Sequence, residues 1–77
     1  MNKQRKKRLT VAASLLSDAL SVIEEVLDEE RDCVDNYPEN LQGSEKYMNM
    51  EDCVSSLENA YSEILDVQSE IQDVLVA

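Results

Sequence analysis

Apolar residues spaced alternately three and four apart fill both halves of this 77-residue sequence, and that spacing leaves little choice of fold. In the first half Leu9, Ala12, Leu16, Ala19, Ile23, Val26, Glu30, Cys33 and Tyr37 follow it without a break. In the second half Met50, Cys53, Leu57, Ala60, Ile64, Val67, Ile71 and Val74 do the same. This period puts every member on one side of an α-helix, as the a and d positions of two runs of about four heptads each. A strand would need period two, and the chain holds only one glycine with which to turn hairpins. Glu30 is the only charge on either seam.

The seams are separated by Asn36-Tyr37-Pro38-Glu39-Asn40-Leu41-Gln42-Gly43-Ser44. Pro38 disfavours helical geometry at Tyr37, so the first helix should stop near Asp35 or Asn36. Ser44 is suited to cap the second helix, with Glu45 favourable near its positive end. The expected elements are a helix over about residues 3–36, a loop over about 37–43 and a helix over about 44–76. So short a connection makes the helices antiparallel neighbours. Facing residues of such a pair have numbers with a constant sum, and the two seams match at a sum of 83. The predicted fold is all-α: a single, coiled-coil-like helical-hairpin domain spanning residues 1–77.

One hairpin does not use all the apolar surface. The row after the d positions is apolar as well: Ala13, Leu20, Leu27 and Val34, then Val54, Tyr61 and Leu75, interrupted by Gln68. Leu15 and Val22 widen the stripe on the other flank. A stripe this broad belongs to a helix facing a bundle core. Burial of each such side chain contributes roughly 1.5–3 kcal/mol. A chain of this size is marginal alone. We therefore expect a homo-oligomeric bundle, most simply a dimer of four helices, with Leu20, Leu27, Val34, Val54, Tyr61 and Leu75 at the oligomer interface.

Charge divides the molecule. Of 7 basic and 17 acidic side chains, Lys3, Arg5, Lys6, Lys7 and Arg8 lie in the first eight residues with no acid among them. The remainder holds Arg31 and Lys46 against all 17 acids, so a +5 tip precedes a −15 body within a net charge of −10. Such a body repels duplex DNA, which we do not expect as a partner. The tip would also sit well beside the C-terminal end of the second helix, near Glu70 and Asp73.

The chain has no histidine, so His-based catalysis and His-containing metal sites are excluded, and neither a cofactor nor a metal is expected. No nucleophile–base pair is discernible, which argues against an enzyme. Cys33 and Cys53 read as buried, reduced thiols rather than a disulfide framework. No run approaches the ~20 apolar residues of a membrane span. The apolar run after the basic start contains Thr10 and Ser14 and meets Asp18 without a small-x-small cleavage site, so it is not read as a leader.

Two candidate sites remain. The acids Glu24, Glu25, Asp28 and Asp32 lie on the exterior of the first helix, where a stiff acidic rod would fit the basic groove of a nucleic-acid-handling partner. The loop region, with Asn40, Lys46 and Tyr47, together with Arg5, Arg8 and Arg31 brought near by oligomerisation, would instead hold a small nucleotide. Tyr37 and Tyr47 bracket the turn and are nearly opposed. A structural or regulatory coiled-coil module is the third reading.

The stretch Asp35-Asn36-Tyr37-Pro38-Glu39-Asn40-Leu41-Gln42-Gly43-Ser44-Glu45-Lys46-Tyr47, followed by Met50-Glu51, resembles a loop signature of small phage and prophage helical-hairpin proteins that begin with a basic helix. The resemblance implies a bacterial cytoplasm and a protein that binds a host factor, including defence components. With it, the expected function is non-enzymatic inhibition of a host protein through the acidic face. A nucleotide sponge is the alternative.

Overall fold

A computed structural model describes residues 1–77. Helix α1 spans Lys3–Asp35, a single 3-10 turn covers Glu39–Leu41, and helix α2 spans Glu45–Val76. Neither helix contains an interior glycine or proline. Both begin at a side-chain cap. The Asn2 carboxamide oxygen accepts from the Arg5 N–H at 2.8 Å, and the Ser44 hydroxyl accepts from the Tyr47 N–H at 3.2 Å. The Asn2 cap matters because five bases follow it, where the helix's own dipole disfavours positive charge.

Helix α1 ends where Pro38 dictates. The Asn36 N–H and its side-chain amide both donate to the Asp32 carbonyl, at 3.0 and 2.8 Å. Pro38 then turns the chain outward at φ −57° and ψ 132°. Its carbonyl accepts from Leu41 at 2.9 Å, and the Leu41 carbonyl accepts from Ser44 at 3.0 Å, which delivers the chain to α2.

The two helices pack antiparallel into a rod of 60 × 15 × 14 Å. The seam differs from the expected one by a single row. The most buried residues are Leu20 and Leu27, 6% and 4% exposed. The seam of α1 runs Leu9, Ala13, Leu16, Leu20, Ile23, Leu27, Glu30 and Val34, and that of α2 runs Tyr47, Met50, Val54, Leu57, Tyr61, Ile64, Gln68, Ile71 and Leu75, all buried or half-buried. Facing residues sum to 84, as the Tyr37 and Tyr47 rings do at 5.3 Å between centroids. Leu20, Leu27, Val34, Val54, Tyr61 and Leu75, expected between copies, thus close the hairpin itself. Ala19, Val26, Cys33, Cys53, Val67 and Val74, expected inside, are exposed.

Side-chain bulk explains the correction. Both rows are apolar, so spacing alone does not separate them. One row carries leucines, a tyrosine and valines, whereas the other carries mostly alanine, valine and cysteine. At ~0.8 kcal/mol per buried CH₂, placing Leu20 rather than Ala19 in the seam gains roughly 2 kcal/mol.

This register gives the rod two unlike flanks. On one, Ser17, Glu24 and Arg31 of α1 reach Gln68, Tyr61 and Glu58 of α2 through hydrogen bonds of 2.6, 3.4 and 3.3 Å. On the other, a shallow groove is lined by Val26, Glu30, Asp52, Cys53, Ser56 and Leu57. No helix is long and apolar enough to cross a membrane.

Candidate functional site

The four acids singled out on α1 are all exposed. Glu24, Asp28 and Asp32 follow one another at four-residue intervals, about 6 Å apart along the helix, with Glu25 beside them. They share this side with a base. Arg31 lies 3.5 Å from Asp28 and 3.3 Å from Glu58, bridging α1 to α2. Arg31 and Glu58 are about half exposed and Asp28 is more so, 65%, so these pairs contribute little, ~0–1 kcal/mol each. The Tyr61 hydroxyl donates to Glu24 at 3.4 Å, a long and weak contact. The carboxylates of Glu25 and Asp32 engage nothing. Of the 17 acidic side chains, only Asp28, Glu58 and Glu24 contact a donor or a base through their carboxylates. Nearly all the negative charge is therefore available to a partner.

The residues of the alternative site do not come together within one chain. Arg5 and Arg8 flank a shallow recess with Met1 and Leu9 at the tip that holds the two chain ends. Lys46 lies at the loop end, beside Glu30, Glu45, Asn49 and Cys53. Arg5 and Arg31 are 26 residues apart on one straight helix, a separation of about 39 Å. Asn40 is exposed in the 3-10 turn. Tyr47 is half-buried, its ring tilted 41° against Tyr37 so that the pair closes the loop end of the seam. The basic tip makes no ion pair with Glu70 or Asp73, because the only ion pairs in the chain are those of Arg31.

The thiols also differ from expectation. Cys33 and Cys53 are free and exposed, on the flank opposite the Arg31 bridge. Glu30 is half-buried on the seam and unpaired, lining the same groove as Cys53. No group of three or more cysteine or acidic side chains is arranged to hold a metal ion.

The feature missed by spacing is the apolar flank. Leu15 and Val22 are legible there from spacing, but the row of Ala12, Ala19, Val26 and Cys33 beside them is expected in the seam, and the difference in side-chain size between neighbouring rows was the available signal. No family model, curated protein or solved structure matches the chain.

Proposed function

We propose that this protein is a non-enzymatic, self-associating binding module whose acidic rod occupies a basic groove on a partner protein. The observation that carries this reading is the density of unpaired carboxylate on a rigid support. Residues 9–77 carry a net −15, and with the +5 tip the 60 Å rod carries −10, one net charge per about 6 Å. One strand of duplex nucleic acid carries one per ~3.4 Å. The rod's net linear charge is thus a little over half that of one strand, and a groove built for a phosphate backbone would attract it. The resemblance to phage and prophage hairpins supports a host protein as the partner, with a nuclease or other nucleic-acid-handling defence factor as its class. Inhibition then follows from occupancy of the groove and needs no chemistry from the chain.

The nucleotide-sponge reading has weaker support. Its bases lie at opposite ends of the rod, and the loop-end base, Lys46, sits among Glu30 and Glu45.

The decisive experiment is purification from bacterial host cells, with mass spectrometry of co-eluting proteins and of small molecules released by heat. A co-eluting nucleic-acid-binding protein is expected. It should be lost when Glu24, Glu25, Asp28 and Asp32 are changed to lysine and retained when Asn40, Lys46 and Tyr47 are changed to alanine. Release of a nucleotide instead would favour the sponge.

A further inference from the structure

The flank of the rod away from Arg31 is an exposed apolar face. On α1 it presents Ala12, Leu15, Ala19, Val22 and Val26, with Leu15 and Val22 63% and 59% exposed. On α2 it presents Cys53, Val67 and Val74, with Ala60 half-buried between them. From Leu9 to Val26 this side of α1 carries no charge. We propose that this face, and not the leucine row inside the hairpin, is where a second copy of the chain docks, with its loop end pointing the opposite way. The inference rests on the self-association proposed above and adds its face and direction.

Two observations select this occupant. The first is area. The chain exposes 5855 Å², whereas a compact protein of 8.7 kDa exposes about 4,700 Å². The excess of roughly 1,100 Å² per chain exceeds the area each partner gives to a standard stable interface, about 600–1,000 Å², so burying one flank is enough to absorb most of it. The second is charge. Arg5 and Arg8 stand at the tip end of the face, and Glu29, Glu30 and Glu45 outnumber Lys46 at its loop end. An antiparallel copy lays the bases of each tip beside the acids of the other loop end, twice per dimer by symmetry. A parallel copy would set α1 of each chain against α2 of the other, so Glu29 and Glu30 would face the Asp52–Val54 level, which holds no base. Glu30, half-buried and unpaired in the single chain, gains a cation in the antiparallel arrangement. The acids Glu24, Glu25, Asp28 and Asp32 stay outside, so docking and partner binding use separate faces.

Sedimentation equilibrium, with circular dichroism to monitor folding, tests this. The wild-type chain should sediment as a dimer. Val22→Glu with Val26→Glu should weaken association by about a hundredfold or more. Leu65→Glu, on the bridged flank, should leave association nearly unchanged. Arg5→Glu with Arg8→Glu should weaken it by about tenfold or more. Adding Glu29→Arg and Glu30→Arg to that variant should restore it, which cannot happen within one chain across about 36 Å of helix. Oxidation provides a second readout. Cys53 faces the level of Arg31, two residues from Cys33, so a parallel dimer would join Cys33 of one chain to Cys53 of the other. The antiparallel dimer should not. A monomer at 100 μM would overturn both this inference and self-association. A dimer indifferent to Val22→Glu and Val26→Glu would overturn the face alone. Absence of charge rescue, or a high-yield Cys33–Cys53 link between chains, would overturn the direction.

Discussion

Leu27 and Val26 are neighbours in sequence with opposite fates. Leu27 is 4% exposed and faces α2, whereas Val26 lies on the open flank. Leu27→Ala should cost about 2–5 kcal/mol, enough to unfold so small a chain. Val26→Ala in the isolated chain should cost under ~1 kcal/mol. Urea titration of the two variants checks the seam directly, and equal losses would return it to the row first expected. The turn offers a second pair. Gly43 has a negative φ, and a methyl group there would meet nothing within 4 Å. Gly43→Ala should therefore raise stability by about 0.4–1 kcal/mol, through a less flexible unfolded chain. Ser44→Ala removes the acceptor for the Tyr47 N–H and should lower it by about 0.5–2 kcal/mol. Thermal unfolding should move in opposite directions for these adjacent substitutions. The role of Ser44 was legible because capping is local chemistry. The placement of Leu27 was not, because burial depends on what α2 presents across the gap.

At the level of the elements, each helix reads clearly and their pairing does not. α1 and α2 are 33 and 32 residues long. Their ends lie where Asn36-Tyr37-Pro38 and Gly43-Ser44 punctuate the chain. The row of contact was ambiguous because three adjacent rows are apolar, and a helix turned by one row still shows an unbroken three-four spacing. Bulk resolved it. Polar contacts across the bridged flank reinforce the choice, with Gln68 donating to Ser17 at 2.6 Å from the one polar position in the α2 seam. The Arg31 pairs are too exposed to carry the fold. Arg31→Ala should shift the unfolding midpoint by less than about 1 kcal/mol, while making the acidic face one charge more negative. If partner binding rests on that face, the same substitution should tighten it, measurable by titration calorimetry at low salt.

The whole molecule combines a strong field with little interior. Only Leu20 and Leu27 are buried, and eleven large apolar side chains are exposed. Proposals about partners belong to this scale, because no single residue has a distinctive environment. Binding to a basic groove through the acidic face should weaken steeply as ionic strength rises, since exposed charges lose each other beyond a Debye length of ~8 Å at physiological salt and ~3 Å at 1 M. Self-association through the apolar flank should respond much less, apart from its two charged ends. Binding and sedimentation measured over the same salt series would separate the two surfaces.

By itself the sequence determined that two long helices form, where they start and stop, that they lie antiparallel, and that a basic tip precedes an acidic body. These follow from local backbone chemistry, from a connection too short for any other arrangement, and from charge counting. Tertiary structure alone decided which of the adjacent apolar rows closes the hairpin. That choice turned an expected oligomer surface into an interior and left valines, alanines and both cysteines facing outward. The reason is that packing compares side chains on two helices at once. A spacing rule applied to each helix separately does not contain that comparison.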